Sequence, residues 1–519
     1  MACSGTCAFR GFALHGEVYN MNESAVQQGF AQHGVSFVQQ LRGVFAIAWW
    51  DGKQLHLIRD HAGAKPLFYT LQGGKLSFAT SLRELPIKLE IDDNTWREIF
   101  GLGPAKLPGS GVFAGVHEVL PGHVLTLTPD GLQEKAWWKH ECRPHEDDYP
   151  TTVKHVRELL TQAIEEQLVG APPCSLLSGG IDSSIITAVA ARKLGGLQTF
   201  SFDFAGNDEH FAANAFQPER DRPFVERMLA LYPLEHRYLQ CEQADLFKLL
   251  PAAMQARGLP GMADIDASLL YFSGEVAKHN PVALTGECAD EIFGGYPWFV
   301  REDLRNCGTF PWSRNMQTRT ALLDPEFVHE LKLDEFVQAK YAQSLAQVPQ
   351  PASEHQTITW LTQQWFMQTL LSRMHHMGSA ASLTTRSPFA DRRVMEYLWN
   401  VPWEYKYKNG IVKGLLRDAF ADLLPPELLQ RKKSPFPKTY HPGYTKLLQA
   451  RLLEILHDTS SPLQPLLNKQ AVEQACKNPP STAEPWFGQL MAGPQMLAYL
   501  IQTDYWLREY PRASISTTP

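Results

Sequence analysis

Residues 178–184 read Ser-Gly-Gly-Ile-Asp-Ser-Ser, between a short apolar run at 174–177 and a helix-like run at 183–193. Few folds accommodate such a segment. Two glycines let the backbone approach an oxyanion without Cβ interference. Ser178, Ser183 and Ser184 add hydroxyls, and the helix that follows presents free N–H groups and the positive end of its dipole. The pattern suits phosphate or pyrophosphate. Asp182 fits beside phosphates only with a divalent cation. The lysine and spacing of a Walker loop are absent. The bland alternative is a Gly-Ser turn that caps a helix.

The surroundings favour the nucleotide reading. After residue 150 the chain alternates helix (152–168), strand (174–177), helix (183–193) and strands at 199–204 and 282–285, which predicts a parallel sheet with crossover helices. From 325 to 510 the pattern is mostly helical. Residues 10–140 read instead as β-rich. Val44 to Trp50 and Gln54 to Ile58 flank Asp51-Gly52, a strong hairpin signal. A second hairpin joins 67–70 to 76–79, with a short strand at 124–127 and a polar linker at 139–150. The 519 residues thus divide into two domains, 1–145 and 150–519. A formal net charge of −7 gives no basic field for nucleic acid. No apolar run spans a bilayer, and eight scattered cysteines lack zinc or redox spacing. A reducing, cytoplasmic setting is expected.

Several segments resemble the glutamine-hydrolysing asparagine synthetase family. Ser-Gly-Gly-x-Asp-Ser is similar to the pyrophosphate loop of ATP pyrophosphatases. The segment 284–296, Leu-Thr-Gly-Glu-Cys-Ala-Asp-Glu-Ile-Phe-Gly-Gly-Tyr, resembles a family segment, as do 386–391, 413–417, 431–436 and 486–495. The likeness covers 150–510, and more loosely 12–128. It implies a Rossmann-like ATP-pyrophosphatase domain with a helical C-terminal part, preceded by an α+β domain of the N-terminal-nucleophile glutaminase type.

The resemblance implies roles. The loop Ser178, Gly179, Gly180, Asp182, Ser183 and Ser184 should hold pyrophosphate. Leu177, Phe202 and Gly286 should lie against adenosine, with Thr285 a further nucleotide contact. Asp182 and Asp290 should hold Mg2+. Glu287 should act on the incoming amine, and Lys433 should neutralise charge on the phosphates and the tetrahedral intermediate. Arg386 is a further catalytic or structural candidate. Lys413 and Arg417, four apart, read equally as a solvated helix face, and Asp264 and Asp266 read equally as helix caps. The substrates implied are ATP, aspartate or a similar carboxylate, ammonia, and glutamine. A homodimer is a further expectation, with no nucleic acid or membrane as partner.

The sequence also departs from the family. The family's glutaminase begins with a nucleophilic cysteine, whereas this chain begins Met1-Ala2-Cys3. Cys3 or Cys7 serves as nucleophile only after processing. His15-Gly16-Glu17 stands for Asn-Gly-Glu. Asn20 runs directly into a short helix at 23–33, without the Ser-Asp segment that supplies a carboxylate for glutamine. Gly16, Glu17 and Asn20 read as remnants of a truncated glutaminase whose loss leaves synthesis dependent on ammonia. His376 occupies a position expected to carry a phosphate-facing cation, and the pair His375-His376 reads as one ring in and one out. Alternatives are a β-lactam-synthetase or lasso-cyclase type of ligase, a reduced paralogue, or a truncated gene.

Overall fold

A computed structural model describes residues 4–6, 8–213, 217–478 and 485–510. Cys3 and Cys7 lie outside the described residues. The N-terminal part stacks two antiparallel sheets. One has the order Phe12–Val18, Gly43–Trp50, Leu55–Arg59, His123–Thr128, Gly131–Ala136, and the other Ser4–Thr6, Lys75–Ala79, Phe68–Gln72, His117–Glu118. Asp51 makes the predicted hairpin turn, its Oδ1 accepting the N–H groups of Lys53 and Gln54, both at 2.7 Å. The continuous apolar run of Gly43–Trp50 has a simple cause. One face meets Leu76 and Phe78 of the second sheet, and the other meets Val26 and Phe30 of the helix Glu23–His33. A strand buried on both faces needs no alternation.

The parallel sheet has the order Leu234–Cys241, Leu197–Phe204, Pro173–Leu176, Val282–Leu284, Thr384–Arg386. Every neighbouring pair in it is parallel. The chain winds outward from Pro173–Leu176 in one direction and then returns to its other side. The segments leaving Pro173–Leu176 and Val282–Leu284 therefore emerge side by side at the switch point, where α/β sheets bind ligands. Behind it lies a helical layer that includes Asp264–Ala277, Gln368–Ala380 and Gly493–Glu509. The linker is irregular but anchored: His140 is buried, 2.7 Å from Gln363 Oε1 and stacked on Trp399. Among the described residues no helix is long and apolar enough to cross a membrane.

Candidate active site

The loop after Pro173–Leu176 turns where its glycines require it. Gly179 has φ +66°, and a Cβ there would stand 2.6 Å from Phe224 Cβ. Gly180 caps the helix Ile181–Leu194 with no side-chain bond of its own. The Ser183 hydroxyl accepts the Ser178 N–H at 3.3 Å and donates to the Gly180 carbonyl at 3.2 Å. Gly286, from the neighbouring strand, comes so close that a Cβ on it would sit 2.9 Å from Asp182 Cβ. The two segments thus form one wall of a cleft of about 1170 Å³, its open mouth included.

Charge in this cleft is organised by lysines. Lys413 Nζ lies 2.8 and 2.7 Å from the two Asp182 oxygens and 2.5 Å from Asp290 Oδ1. Lys433 Nζ lies 2.5 Å from Asp290 Oδ2. Burial pushes both carboxyls up, but Lys413 and Lys433 together hold Asp290 down at about 2. At Asp182, where Lys413 is shared and Asp290 adds repulsion, burial prevails and the group titrates above the ordinary aspartate range. Lys413 is buried, with φ +58°. Arg417 is buried too and donates to the carbonyls of Val412, Leu429 and Arg431. The reading of this pair as a solvated helix face is therefore corrected. Arg431, which sequence reasoning passed over, donates to the Ser178 carbonyl at 2.9 Å and pairs with Asp221, tying the Lys433 segment to the loop.

Glu287 enters the same cleft and is met by Arg373 Nη2 at 2.7 Å. Arg373 is nine-tenths buried and its guanidinium lies over the Phe436 ring. Leu177, Phe202, Thr285 and Gly286 all line the cleft as expected. Phe202 stacks on Phe272 with ring centroids 4.3 Å apart, making a flat apolar face. Phosphate-binding loop, apolar slot, paired carboxylates and two lysines converge at one switch point. Such a site can bind a nucleoside triphosphate beside a carboxylate.

Residues 155–508 match the family model for asparagine synthase, and residues 22–138 that for a glutamine amidotransferase domain. The chain belongs to the asparagine synthetase family. The glutamine-hydrolyzing asparagine synthetase 3 of Bacillus subtilis is 43% identical over 492 residues, covering 91% of this chain and 80% of its own. The glutamine-hydrolyzing asparagine synthetase 1 of the same organism is 30% identical over 446 residues, covering 77% and 68%. Amidase chyE of Penicillium rubens is 28% identical over 319 residues, covering 54% and 44%. As a member of this family the protein is an ATP-dependent, amide-forming ligase.

Other expected residues of this asparagine synthetase homologue lie elsewhere. Arg386 does not line the cleft; its Nη2 and Nε hold Glu17 at 2.6 and 2.9 Å, and its Nη1 donates to the carbonyls of Gln167 and Val169. The guanidinium is fully engaged as a tie between the parallel sheet and the N-terminal strand, which corrects its catalytic assignment to a structural one. Ser184 is wholly buried behind the loop and does not line the cleft. His376 does not line it either. Burial, with Arg257 and Lys106 nearby, drives His376 down to about 3, so it supplies no cation to phosphate. Arg373, one helical turn before it on the same helix, faces the cleft instead. Of the pair, His375 is buried and His376 half-buried.

Asp264 and Asp266 lie behind the cleft. Neither is the N-cap of its helix, which Ala263 precedes without a side-chain cap; Asp266 accepts the Met262 N–H at 3.0 Å and also pairs with Arg257, while Asp264 takes a bond from Gln495 at 2.9 Å. Of the N-terminal residues, Gly16 has φ +113°, and a Cβ on it would meet the Val44 carbonyl at 2.2 Å. Asn20 bridges Gln40 and Arg42 through its side chain. Gly16 and Asn20 thus hold the strand and its following turn in place.

Proposed function

We propose that the protein amidates aspartate with free ammonia through an acyl-AMP intermediate, and that glutamine serves it poorly. The convergence of the loop at 178–183, the Asp182–Lys413–Asp290–Lys433 chain and the Glu287–Arg373 pair carries this reading. A substrate carboxylate oxygen attacks the α-phosphorus of ATP, and the bond to the β-phosphate oxygen breaks to release pyrophosphate. Ammonia then attacks the acyl carbon and AMP leaves with the C–O bond electrons. Adenylation is needed because a free carboxylate is a poor acyl donor.

Loop N–H groups and the Ser178 hydroxyl hold the departing pyrophosphate, and Lys433 neutralises charge as it develops, an effect that is often the largest catalytic contribution. Glu287, kept in place by Arg373, orients the amine and takes its proton. Asp182 and Asp290 suit Mg2+, a hard cation that takes oxygen ligands. Among the described residues no cluster of three or more His, Cys, Asp or Glu forms a closed cage. Bound there, Mg2+ would offset charge on the leaving pyrophosphate.

Three observations support impaired glutamine use. His15 replaces the amide expected beside an oxyanion, the Ser-Asp segment between Asn20 and the helix Glu23–His33 is missing, and Glu17 is held by Arg386. We read residues 1–145 and 150–519 as the glutaminase-like and synthetase domains, working in the cytoplasm. In the test, the purified full chain receives ATP, Mg2+ and aspartate, with either ammonium or glutamine. Equimolar AMP, pyrophosphate and asparagine are expected with ammonium, and less than about a tenth of that rate with glutamine. Equal rates with the two would overturn the claim about glutamine. Pyrophosphate release with other carboxylates but not aspartate would overturn the claim about aspartate.

A further inference from the structure

The cleft carboxylate Asp290 stands on a helix that does not hold itself. Ala289–Phe293 has five residues, far below the length at which an isolated helix persists in water. Its N-cap, Cys288, makes no side-chain bond and has φ +75°. At the other end the Asp290 carbonyl accepts the N–H groups of Gly294 and Gly295 at 3.0 and 2.8 Å. The Ile292 carbonyl is one of the acceptors that a helix leaves open at its C-terminus. It is taken by a side chain: Lys406 Nζ donates to it at 3.1 Å.

Lys406 is 6% exposed, and burial alone pushes its ammonium down to about 7. His140 and His145, the titratable groups it acts on, bring no negative charge. A lysine is costly to bury in this way, and the negative end of the helix dipole is the charge it meets. Three residues earlier, on the same short helix Trp403–Lys406, the Trp403 ring fills a notch over Gly294. Gly294 has φ +76°, and a Cβ on it would stand 2.4 Å from Trp403 Cζ3. The ring is itself fixed, stacked on His355 with centroids 4.4 Å apart and on Tyr407 at 5.3 Å. The chain then turns through Lys408–Gly410 and reaches Lys413, whose ammonium holds the Asp290 carboxylate. The run 403–413 thus grips this helix by its backbone and by its carboxylate at once.

We propose that Lys406, together with Trp403, is a positioning residue of the adenylation site. It fixes the C-terminal end of Ala289–Phe293 and so sets where the Asp290 carboxylate stands against Lys433, 2.5 Å away. Neither Lys406 nor Trp403 lines the cleft, so both act through the helix. A charged group in a site of this kind is useful only while its supports keep it in place. The inference rests on the role given above to Asp290, and not on the choice of aspartate or ammonia as substrates.

A double-mutant cycle on the full chain tests this. Pyrophosphate release from radiolabelled ATP is followed per folded molecule, with Mg2+, ammonium and the carboxylate that sustains the highest rate. Lys406→Met should lower kcat about tenfold in the wild type. In the Asp290→Asn background it should lower kcat by less than about twofold, because no carboxylate is left to position. A merely structural contact would cost the same in both backgrounds. Trp403→Leu, which empties the notch over Gly294, should couple to Asp290 in the same way and serves as the test should Lys406→Met fail to fold. Equal falls in the two backgrounds overturn the proposal, as does a wild-type kcat that Lys406→Met leaves within about twofold. Asp290→Asn measured alone separates this inference from the reading it rests on. If that variant keeps the full rate, the role of Asp290 falls and the inference with it; if it loses the rate and the cycle is additive, the inference alone falls.

Discussion

The molecule concentrates charge in two regions and builds them in opposite ways. In the cleft, Asp182, Asp290, Glu287, Lys433 and Arg373 line a space open to substrate, and the buried Lys413 pairs with both aspartates without lining it. Along the seam between the N-terminal sheets and the rest, Glu17–Arg386, Glu118–Arg59 and Asp266–Arg257 close on each other in the interior. Pairing is present in both, so pairing alone does not mark a catalytic residue. What separates the two regions is whether a pair still faces a cavity that substrate can reach. The distinction predicts that cleft substitutions lower activity and that seam substitutions lower stability, with little exchange between the two.

Lys413→Met should have the largest effect, because Lys413 belongs to both categories: it pairs with both cleft aspartates and is itself buried. Its removal leaves Asp182 and Asp290 side by side without their shared cation. Breaking a buried pair of this kind costs about 3–5 kcal/mol, and synthesis should fall by roughly three orders of magnitude. Thermal unfolding and the rate of pyrophosphate release measure the two losses. Lys433→Met comes next. Its partner Asp290 keeps Lys413, so the unfolding midpoint should move by no more than about 2 °C. Turnover should fall by about 10²–10³ with aspartate and ammonium saturating. A stability loss as large as that of Lys413→Met would show that Lys433 is mainly structural.

How much of this was legible beforehand follows the same division. The loop at 178–184, the cleft segment at 284–290 and Lys433 are read from local pattern, because phosphate binding needs glycines and hydroxyls at fixed spacing before a helix. The strands around Asp51-Gly52 are legible for a similar reason: turn chemistry is local. Lys413 is not legible, since its role depends on a left-handed backbone and on two carboxylates more than a hundred residues away. Arg373 sits in a helical run where nothing local separates it from a solvated arginine. Arg386 lies in a family-like segment, yet what decides its role is Glu17, which is distant in the chain. The strand Thr384–Arg386 also escapes notice, being three residues long and defined by pairing with Val282–Leu284.

Arg386→Met tests the seam directly. The Glu17 carboxylate would lose both of its hydrogen bonds and the carbonyls of Gln167 and Val169 their donor. Glu17 retains some solvent contact, with a quarter of its side chain exposed, so the loss is smaller than for a fully buried pair. A destabilisation of about 2 kcal/mol is expected, with kcat/KM per folded molecule unchanged within about threefold. A hundredfold fall in kcat/KM at unaltered stability would return Arg386 to the catalytic set and break the division between cleft and seam.

The remaining expected effect is one of pH, and it concerns a carboxyl behind the cleft. Asp264 is fully buried, faces Gln495 and has no cation in contact, so burial pushes it from the ordinary 3.8 up to about 6. The folded protein therefore holds a proton that the unfolded chain has already lost between those two values. Its contribution is fully present below pH 3.8 and is lost as pH rises through about 6, after which the ionised carboxyl is a constant burden on the fold. Two pH units correspond to about 2–3 kcal/mol at most. Asp264→Asn removes the ionisation, and its amide oxygen can still accept from Gln495. The stability difference between variant and wild type, measured by urea unfolding, should rise from pH 4 to pH 7 in favour of the variant. Turnover above pH 7 should stay within about twofold, since Asp264 does not line the cleft. A difference independent of pH would mean that Asp264 is ionised throughout. It would then need a cation or a water path, and the interior behind the cleft would be more like the open cleft than the closed seam.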